Sequence, residues 1–324
     1  MRKIYIAIVL FSSAFFLNAC EKETDIFVPD PGQVSGPDTN WYSSITSLMP
    51  VNDLQNSLYL SPDIDSAYLG ANADTINTAS GLQCIFPGNS CMNAIIGLPA
   101  TGEVYIQSYL LKNSGDFIRM GLPTVANGTL LVSGGMFFIN VQKADSTIQL
   151  AKDSALNISY NDTAIADHLN LFDGSYAQNS NAYNWQMDTS KSNTILSGNT
   201  GYTIQTDQLR WVNCGHYYPD SLNNNSSSIA IKLPANLTNA NTLAYIVVNN
   251  YRTVIQMSSD VSSKQFVAAK IPAGFNVTVV TISKDGNFYY LGKQAVVTTN
   301  IAASITIAPT RVSLDAIKTY LNSL

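Results

Sequence analysis

Between Val104 and Leu110 the chain sorts its side chains into two classes by turns. Val104, Ile106, Ser108 and Leu110 fall on one face of an extended segment, and Tyr105, Gln107 and Tyr109 on the other. A helix would scatter this pattern, because its faces recur roughly every 3.6 residues and those of a strand every second residue. The same period runs through Leu130, Val132, Met136 and Phe138, where Gly134-Gly135 interrupts it, and again through Ile148–Leu150 and Leu156, Ile158, Tyr160. Short alternating runs between turn residues predict an all-β sandwich or barrel, not parallel α/β units. No stretch longer than a dozen residues shows a helical period before the C-terminus.

Composition then divides the chain. Residues 42–186 are expected to form a first β-sandwich. A polar, Asn-rich connector follows at 187–228, with one strand from Tyr202 to Val212. Asn223-Asn224-Asn225 and the three serines after it mark the boundary to a second sandwich over 229–324. In that part, Asn249-Asn250 and Asp285-Gly286 read as hairpin turns, since Asn and Gly tolerate the positive φ that tight turns need. Ser313 is placed to cap a short C-terminal helix whose Leu314, Ile317 and Leu321 form one apolar stripe.

The N-terminus reads as an address. Arg2 and Lys3 precede an apolar run from Ile4 to Leu17, and Leu17-Asn18-Ala19-Cys20 resembles a bacterial lipobox. The run is too short for a membrane span, which takes about 20 residues, so residues 1–19 are expected to be a signal peptide. Cys20 is then the lipidation site and residues 20–41 a tether. Several acyl chains on Cys20 would anchor the protein stably, because one chain alone is marginal. The patch Glu21-Lys22-Glu23-Thr24-Asp25 resembles the signal that sends Bacteroidota lipoproteins to the outer leaflet of the outer membrane; a plain solvated tether is the other reading.

The formal net charge is −5, or −7 once Arg2 and Lys3 leave with the signal. A mildly acidic chain without basic clusters argues against nucleic acid as a partner, which requires cations to displace counterions. Outside the cytoplasm, Cys84 and Cys91 flank Pro87-Gly88, a turn that can bring two cysteines within disulfide range, so a Cys84–Cys91 bridge is expected and Cys214 is left over. Six Asp–Ser/Thr triplets resemble the O-glycosylation motif of exported Bacteroidota proteins, with Ser66, Thr75, Ser146, Ser154, Thr163 and Ser221 as acceptors. The plainer reading is that Asp and Ser/Thr populate turns.

Four stretches resemble a group of two-domain Bacteroidota envelope lipoproteins of undefined function. They are Ser133-Gly134-Gly135-Met136-Phe137, Leu171-Phe172-Asp173-Gly174 before Trp185, Leu209-Arg210-Trp211-Val212-Asn213-Cys214, and Ala308-Pro309-Thr310 with Ser313-Leu314-Asp315-Ala316-Ile317. The resemblance implies a first domain like the β-sandwich of netrin receptors and ankyrins. It implies a second like the prealbumin-type sandwich beside carboxypeptidases. It brings no catalytic residues with it.

The chemistry is thin. His168 and His216 are the only histidines, and neither a His-Glu-x-x-His helix nor a Gly-x-Ser-x-Gly elbow is present. Glu103 is the single glutamate beyond the tether, so a hydrolase would have to rely on Asp. Asp63-Ile64-Asp65 begins like a calcium loop, but Ala67 and Tyr68 stand where a ligand and the glycine belong. His168-Leu169-Asn170 lacks the hydroxyl with which some sandwiches cleave themselves. No catalytic residue, metal or cofactor is assigned. Aromatic residues are plentiful, and Trp41, Trp185 and Trp211 are candidate platforms for stacking a ligand. The expected role is that of a lipid-anchored, non-catalytic binding or scaffolding protein. Its expected partners are the membrane, and a glycan or another envelope protein. The alternatives are an Asp-dependent hydrolase and a glycan-binding surface lipoprotein.

Overall fold

Alternating segments need partners on both edges and a cover on their apolar face, and the chain supplies both by pairing strands into four sheets. The computed structural model describes residues 38–144, 146–176, 183–218 and 226–324, of which Thr39–Leu324 form one unit. Sheet I has nine strands, six of them on its main path: Asp63–Leu69, Gly102–Leu111, Thr129–Lys143, Trp211–Tyr217, Asn170–Tyr176 and Tyr183–Met187. Sheet II orders Thr194–Ser197, Gly201–Thr206, Leu156–Asn161, Leu82–Phe86 and Asp74–Asn77. Their facing sides enclose one core, in which Val104, Ile106, Phe137 and Ile139 meet Leu82, Ile158 and Ile204. This is the first sandwich.

Sheet III (Ser258–Asp260, Gln265–Pro272, Ser226–Lys232, Ala303–Thr306) and sheet IV (Thr253–Gln256, Thr242–Val248, Asn276–Asp285, Phe288–Val297, Thr310–Val312) make the second. One pairing, Ser226–Lys232 with Ala303–Thr306, is parallel; every other pairing is antiparallel among the described residues. The strand Thr242–Val248 is buried at every position. Ala244, Ile246 and Val248 enter the core of the second sandwich, and Leu243, Tyr245 and Val247 enter another. A strand covered on both faces reads as a continuous apolar run, as Leu-Ala-Tyr-Ile-Val-Val does here.

That other core lies between the sandwiches and holds three helices. Helix α1 (Pro50–Leu58) buries Val51, Leu54 and Leu58, α2 (Ser114–Met120) buries Phe117 and Ile118, and α3 (Leu314–Asn322) buries Ile317 and Leu321. They pack with Leu111, Met136, Phe172 and Trp185 of sheet I and with Leu243, Tyr245, Val280 and Ile282 of sheet IV. The C-terminal helix and its cap agree with the sequence, the Ser313 hydroxyl accepting from the Ala316 N–H. The other two helices were not legible. Asn, Ser, Asp and Gly make up much of both, and these residues favour turns in isolation. Burial against two sheets holds them helical. At Gly115 the fit admits no side chain, for a Cβ would lie 1.7 Å from the Leu321 carbonyl oxygen.

Three local expectations change. The segment 187–228 is no plain connector: it gives Thr194–Ser197 and Gly201–Thr206 to sheet II and Trp211–Tyr217 to sheet I. The single strand expected from Tyr202 to Val212 is therefore two, and the chain crosses between sheets in their midst. The Asn249-Asn250 turn is longer than two residues, since Val248 pairs with Thr253 and leaves Arg252 in the loop. The other hairpin is tight, with Asp285 opposite Phe288 around Gly286 at φ 57°.

The Cys84–Cys91 bridge does not form. Both are free and buried. Cys84 lies in sheet II opposite Ile76 and Ile158, and Cys91 pairs with Leu150 in an extension of sheet I. Pro87-Gly88 is not a hairpin joining them. The segment is held elsewhere, the Asn89 N–H donating to the Gly70 carbonyl, and each thiol faces the core as a small apolar group.

Candidate functional site

In sheet I, the strand Thr129–Lys143 carries the interruption read at Gly134-Gly135 as a β-bulge: Cys214 pairs with Gly135 and Gly215 with Ser133, so Gly134 is the extra residue. A Cβ on Gly134 would come within 3.0 Å of the Tyr202 hydroxyl and closer still to Leu169. The bulge fixes which residues of the strand face outward from Met136 onwards.

Register then sorts the outward residues into rungs across neighbouring strands. Tyr109 pairs with Phe138, and Phe138 with Trp211. One step along, Ile64 pairs with Gln107 and Gln107 with Asn140. The next rung is Ser66, Tyr105 and Gln142, and the last is Tyr68 beside Glu103. The far end of this face, with Leu111, Met136 and Phe172, is covered by the helices. The near end is open. Ile64, Tyr68 and Tyr105 are 65, 69 and 59 % exposed.

The rings and amides on this open half differ in how they are held. Tyr109, Phe138 and Trp211 form one cluster, with centroids 5.5 Å apart between the stacked Tyr109 and Trp211 and 5.2 Å between Phe138 and Trp211. Tyr109 and Trp211 close the edge of the shared core, and part of each of the three rings is left in solvent. The side chains of Ser66, Gln107, Asn140 and Gln142 make no hydrogen bond within the described residues. Glu103 is the one charge on the four rungs.

A cleft of about 510 Å³ beside the shared core offers a contrast. It too is lined by amides and rings, among them Asn52, Gln55, Asn239, Tyr59 and Phe266. Here three of the amides are spent on the fold. Asn239 receives the Tyr42 N–H at 3.0 Å and donates to its carbonyl at 2.6 Å; Gln55 donates to the Arg119 carbonyl at 2.6 Å, and Asn52 to that of Thr46 at 2.7 Å. The cleft is a stitched seam. The open sheet face keeps Gln107, Asn140 and Gln142 unengaged.

The three tryptophans separate accordingly. Trp185 is fully buried and donates its indole N–H to the Pro123 carbonyl at 2.7 Å, so it cannot serve as a stacking platform. Trp41 packs on Phe266, centroids 5.0 Å apart, at the side of the second sandwich. Trp211 alone belongs to the open face. Sequence alternation already set Tyr105, Gln107 and Tyr109 on one side of a strand. What it missed were Tyr68, Asn140 and Gln142, because cross-strand register is not written in any one strand.

A group of acids lies on the other face of sheet I, near its edge. Asp173 is half-buried, and one of its carboxyl oxygens, Oδ1, is buried without a partner. Burial first, then the charges of Asp188 and Asp207, push its pKa up to about 6 against the pull of Arg210. Asp188 and Asp207 are both bonded to the Asn193 amide, at 2.5 and 2.7 Å. Asp63, expected at the start of a broken calcium loop, instead accepts the Ser80 N–H at 2.9 Å. Cys214 is buried beside Tyr160, and His216 meets the Tyr217 carbonyl at 2.9 Å.

Of the candidate glycosylation sites, Ser66, Thr75 and Thr163 are exposed and Ser146 and Ser154 half-buried, while Ser221, like Cys20, lies outside the described residues. Ser66 and Thr75 sit on strands rather than loops. Two of the accompanying aspartates have local tasks: Asp74 accepts the Tyr68 and Thr75 N–H groups, and Asp162 accepts that of Ala164.

No family model matches the chain, and no curated protein matches it.

Proposed function

We propose that this chain is a lipid-anchored protein of the cell envelope, at the outer membrane, that binds a ligand or partner without turning it over, and that it does so with the open face of sheet I. The anchor rests on the sequence from Arg2 to Cys20. The observation that carries the binding role is the row of unengaged amides, Gln107, Asn140 and Gln142, set among exposed Tyr105, Tyr68 and Ile64 on a rigid sheet. Exposed apolar side chains that adjoin one another weigh against solubility and mark contact surfaces. Amides that serve nothing inside the fold are free to serve a ligand. A site on strands is also held more firmly than one on loops.

The anchor is tested in cells and the binding role on the purified mature protein. Blocking lipoprotein signal peptidase should leave a precursor that retains residues 1–19, and Cys20→Ala should abolish incorporation of a labelled fatty acid into the protein. Fatty-acid labelling absent from the parent protein, or unchanged in Cys20→Ala, would refute the anchor. Sustained hydrolysis of a polysaccharide, peptide or ester by the purified protein would refute the binding role.

One observation favours a second reading, an Asp-dependent hydrolase. Asp173 holds its proton to about pH 6, a value suited to a general acid, and two further aspartates stand near it. In that reading Asp173→Asn abolishes a measurable hydrolysis. In the binding reading it leaves function intact.

A further inference from the structure

We infer that the open face of sheet I binds a neutral, extended polysaccharide, whose sugar rings stack on Tyr105, Tyr68 and the edge of the Tyr109–Phe138–Trp211 cluster while its hydroxyls bond to Gln107, Asn140 and Gln142. The inference rests on the binding role proposed above and names its ligand class.

The chemistry selects among ligands. A sugar hydroxyl both donates and accepts, and a carboxamide does the same through its NH₂ and its oxygen, so three free amides suit a polyol. The C–H faces of a pyranose are apolar and lie well against the negative face of an aromatic ring. Tyrosine loses only two side-chain torsions on being fixed, so two exposed rings can grip at small entropic loss. The rungs carry no Lys or Arg, and their single charge is Glu103, which opposes a polyanion. A protein-binding face of similar size centres on a desolvated anchor and is enriched in Arg. Here the two inner rungs, Ile64, Gln107 and Asn140, then Ser66, Tyr105 and Gln142, are each polar at two of three positions. The four strands run side by side, about 4.8 Å apart, and carry the rings and amides across the face as well as along it. That is a surface for a chain, not for a monosaccharide.

Two larger clefts do not compete. The seam beside the shared core has Asn52, Gln55 and Asn239 engaged, and a second cleft, of about 620 Å³, has its Arg252 neutralised by Asp162.

The experiment uses the mature protein with laminarin, xyloglucan, galactomannan and arabinoxylan as neutral probes and polygalacturonate and heparin as anionic ones, in affinity electrophoresis and calorimetry. At least one neutral polysaccharide should retard the protein, with an affinity that changes less than about twofold with added salt, since no ion pair is formed. Tyr105→Ala and Asn140→Ala should each weaken it by about tenfold. Both should keep the parent unfolding midpoint, as their side chains serve nothing in the fold. Failure of all four neutral probes would overturn the inference, as would binding that survives both substitutions. Salt-sensitive binding of an anionic probe alone would overturn it too, as would a protein partner on this face, though either would leave the binding role standing. Cleavage of a probe would overturn the binding role itself.

Discussion

The Arg252 guanidinium, from the second sandwich, lies against the Asp162 carboxylate of the first: Nη1 stands 2.5 Å from Oδ2 and Nη2 2.7 Å from Oδ1. Nη1 also donates to the carbonyl of Gly134, at the bulge that sets the outward register of sheet I. The pair therefore ties the second sandwich to the element that shapes the candidate site. Burial by itself would raise the Asp162 pKa, but hydrogen bonds from Arg252 and from the Ala164 N–H outweigh it and hold the carboxyl below its ordinary value.

A depressed native pKa stabilises the fold above the ordinary carboxylate range, and that contribution is lost as pH falls through the native value. Asp162→Asn should lower stability by about 2 kcal/mol at pH 7, between the values for exposed and buried pairs. It should also flatten the acid limb of the stability curve. Urea unfolding at a series of pH values measures both. An unchanged midpoint at pH 7 would contradict a structural role for the pair.

Asp173 carries the opposite sign. Its native carboxyl holds a proton up to about pH 6 against an ordinary value of 3.8, so it favours folding in acid and disfavours it once pH rises through that interval. Asp173→Asn should raise stability at pH 7 by about 1 kcal/mol after allowance for solvent. The decline between about pH 4 and 6 should disappear. The same urea series reads this, and a loss of stability would argue that the carboxylate is bonded in its charged form.

The cysteines give a covalent test. Burial pushes the Cys84 and Cys214 thiols up to about 12 and raises that of Cys91, so all three stay protonated and sheltered at neutral pH. Peptide mapping after alkylation in denaturant, without reductant, should find Cys84 and Cys91 singly labelled. A Cys84–Cys91 linked peptide would contradict the packing described above.

Period-two alternation made the all-β class legible, and the Gly134-Gly135 interruption marked the one bulge that matters for the site. The Ser313 cap and the Asp285-Gly286 turn were legible because each is decided within four residues. What stayed hidden was decided at long range. Helices α1 and α2 owe their form to a core shared by two sandwiches, and Trp185 looks like a platform until its indole is seen to close on Pro123. The Pro87-Gly88 turn misled because a Cys pair nearby in sequence says nothing of which sheet each strand joins. The open face was half legible. One strand displayed Tyr105, Gln107 and Tyr109, but only register adds Tyr68, Asn140 and Gln142.

The central claim is that the open face of sheet I is where this protein meets its ligand in the envelope. Photo-crosslinking in growing cells tests it without presuming the ligand's class. p-Benzoylphenylalanine is placed at Tyr105, which is 59 % exposed on the open face, and, as a control, at Leu196, which is 68 % exposed on sheet II. Irradiation should give a discrete adduct from position 105 and none from 196. Equal adducts from both positions, or none from 105, would contradict the account.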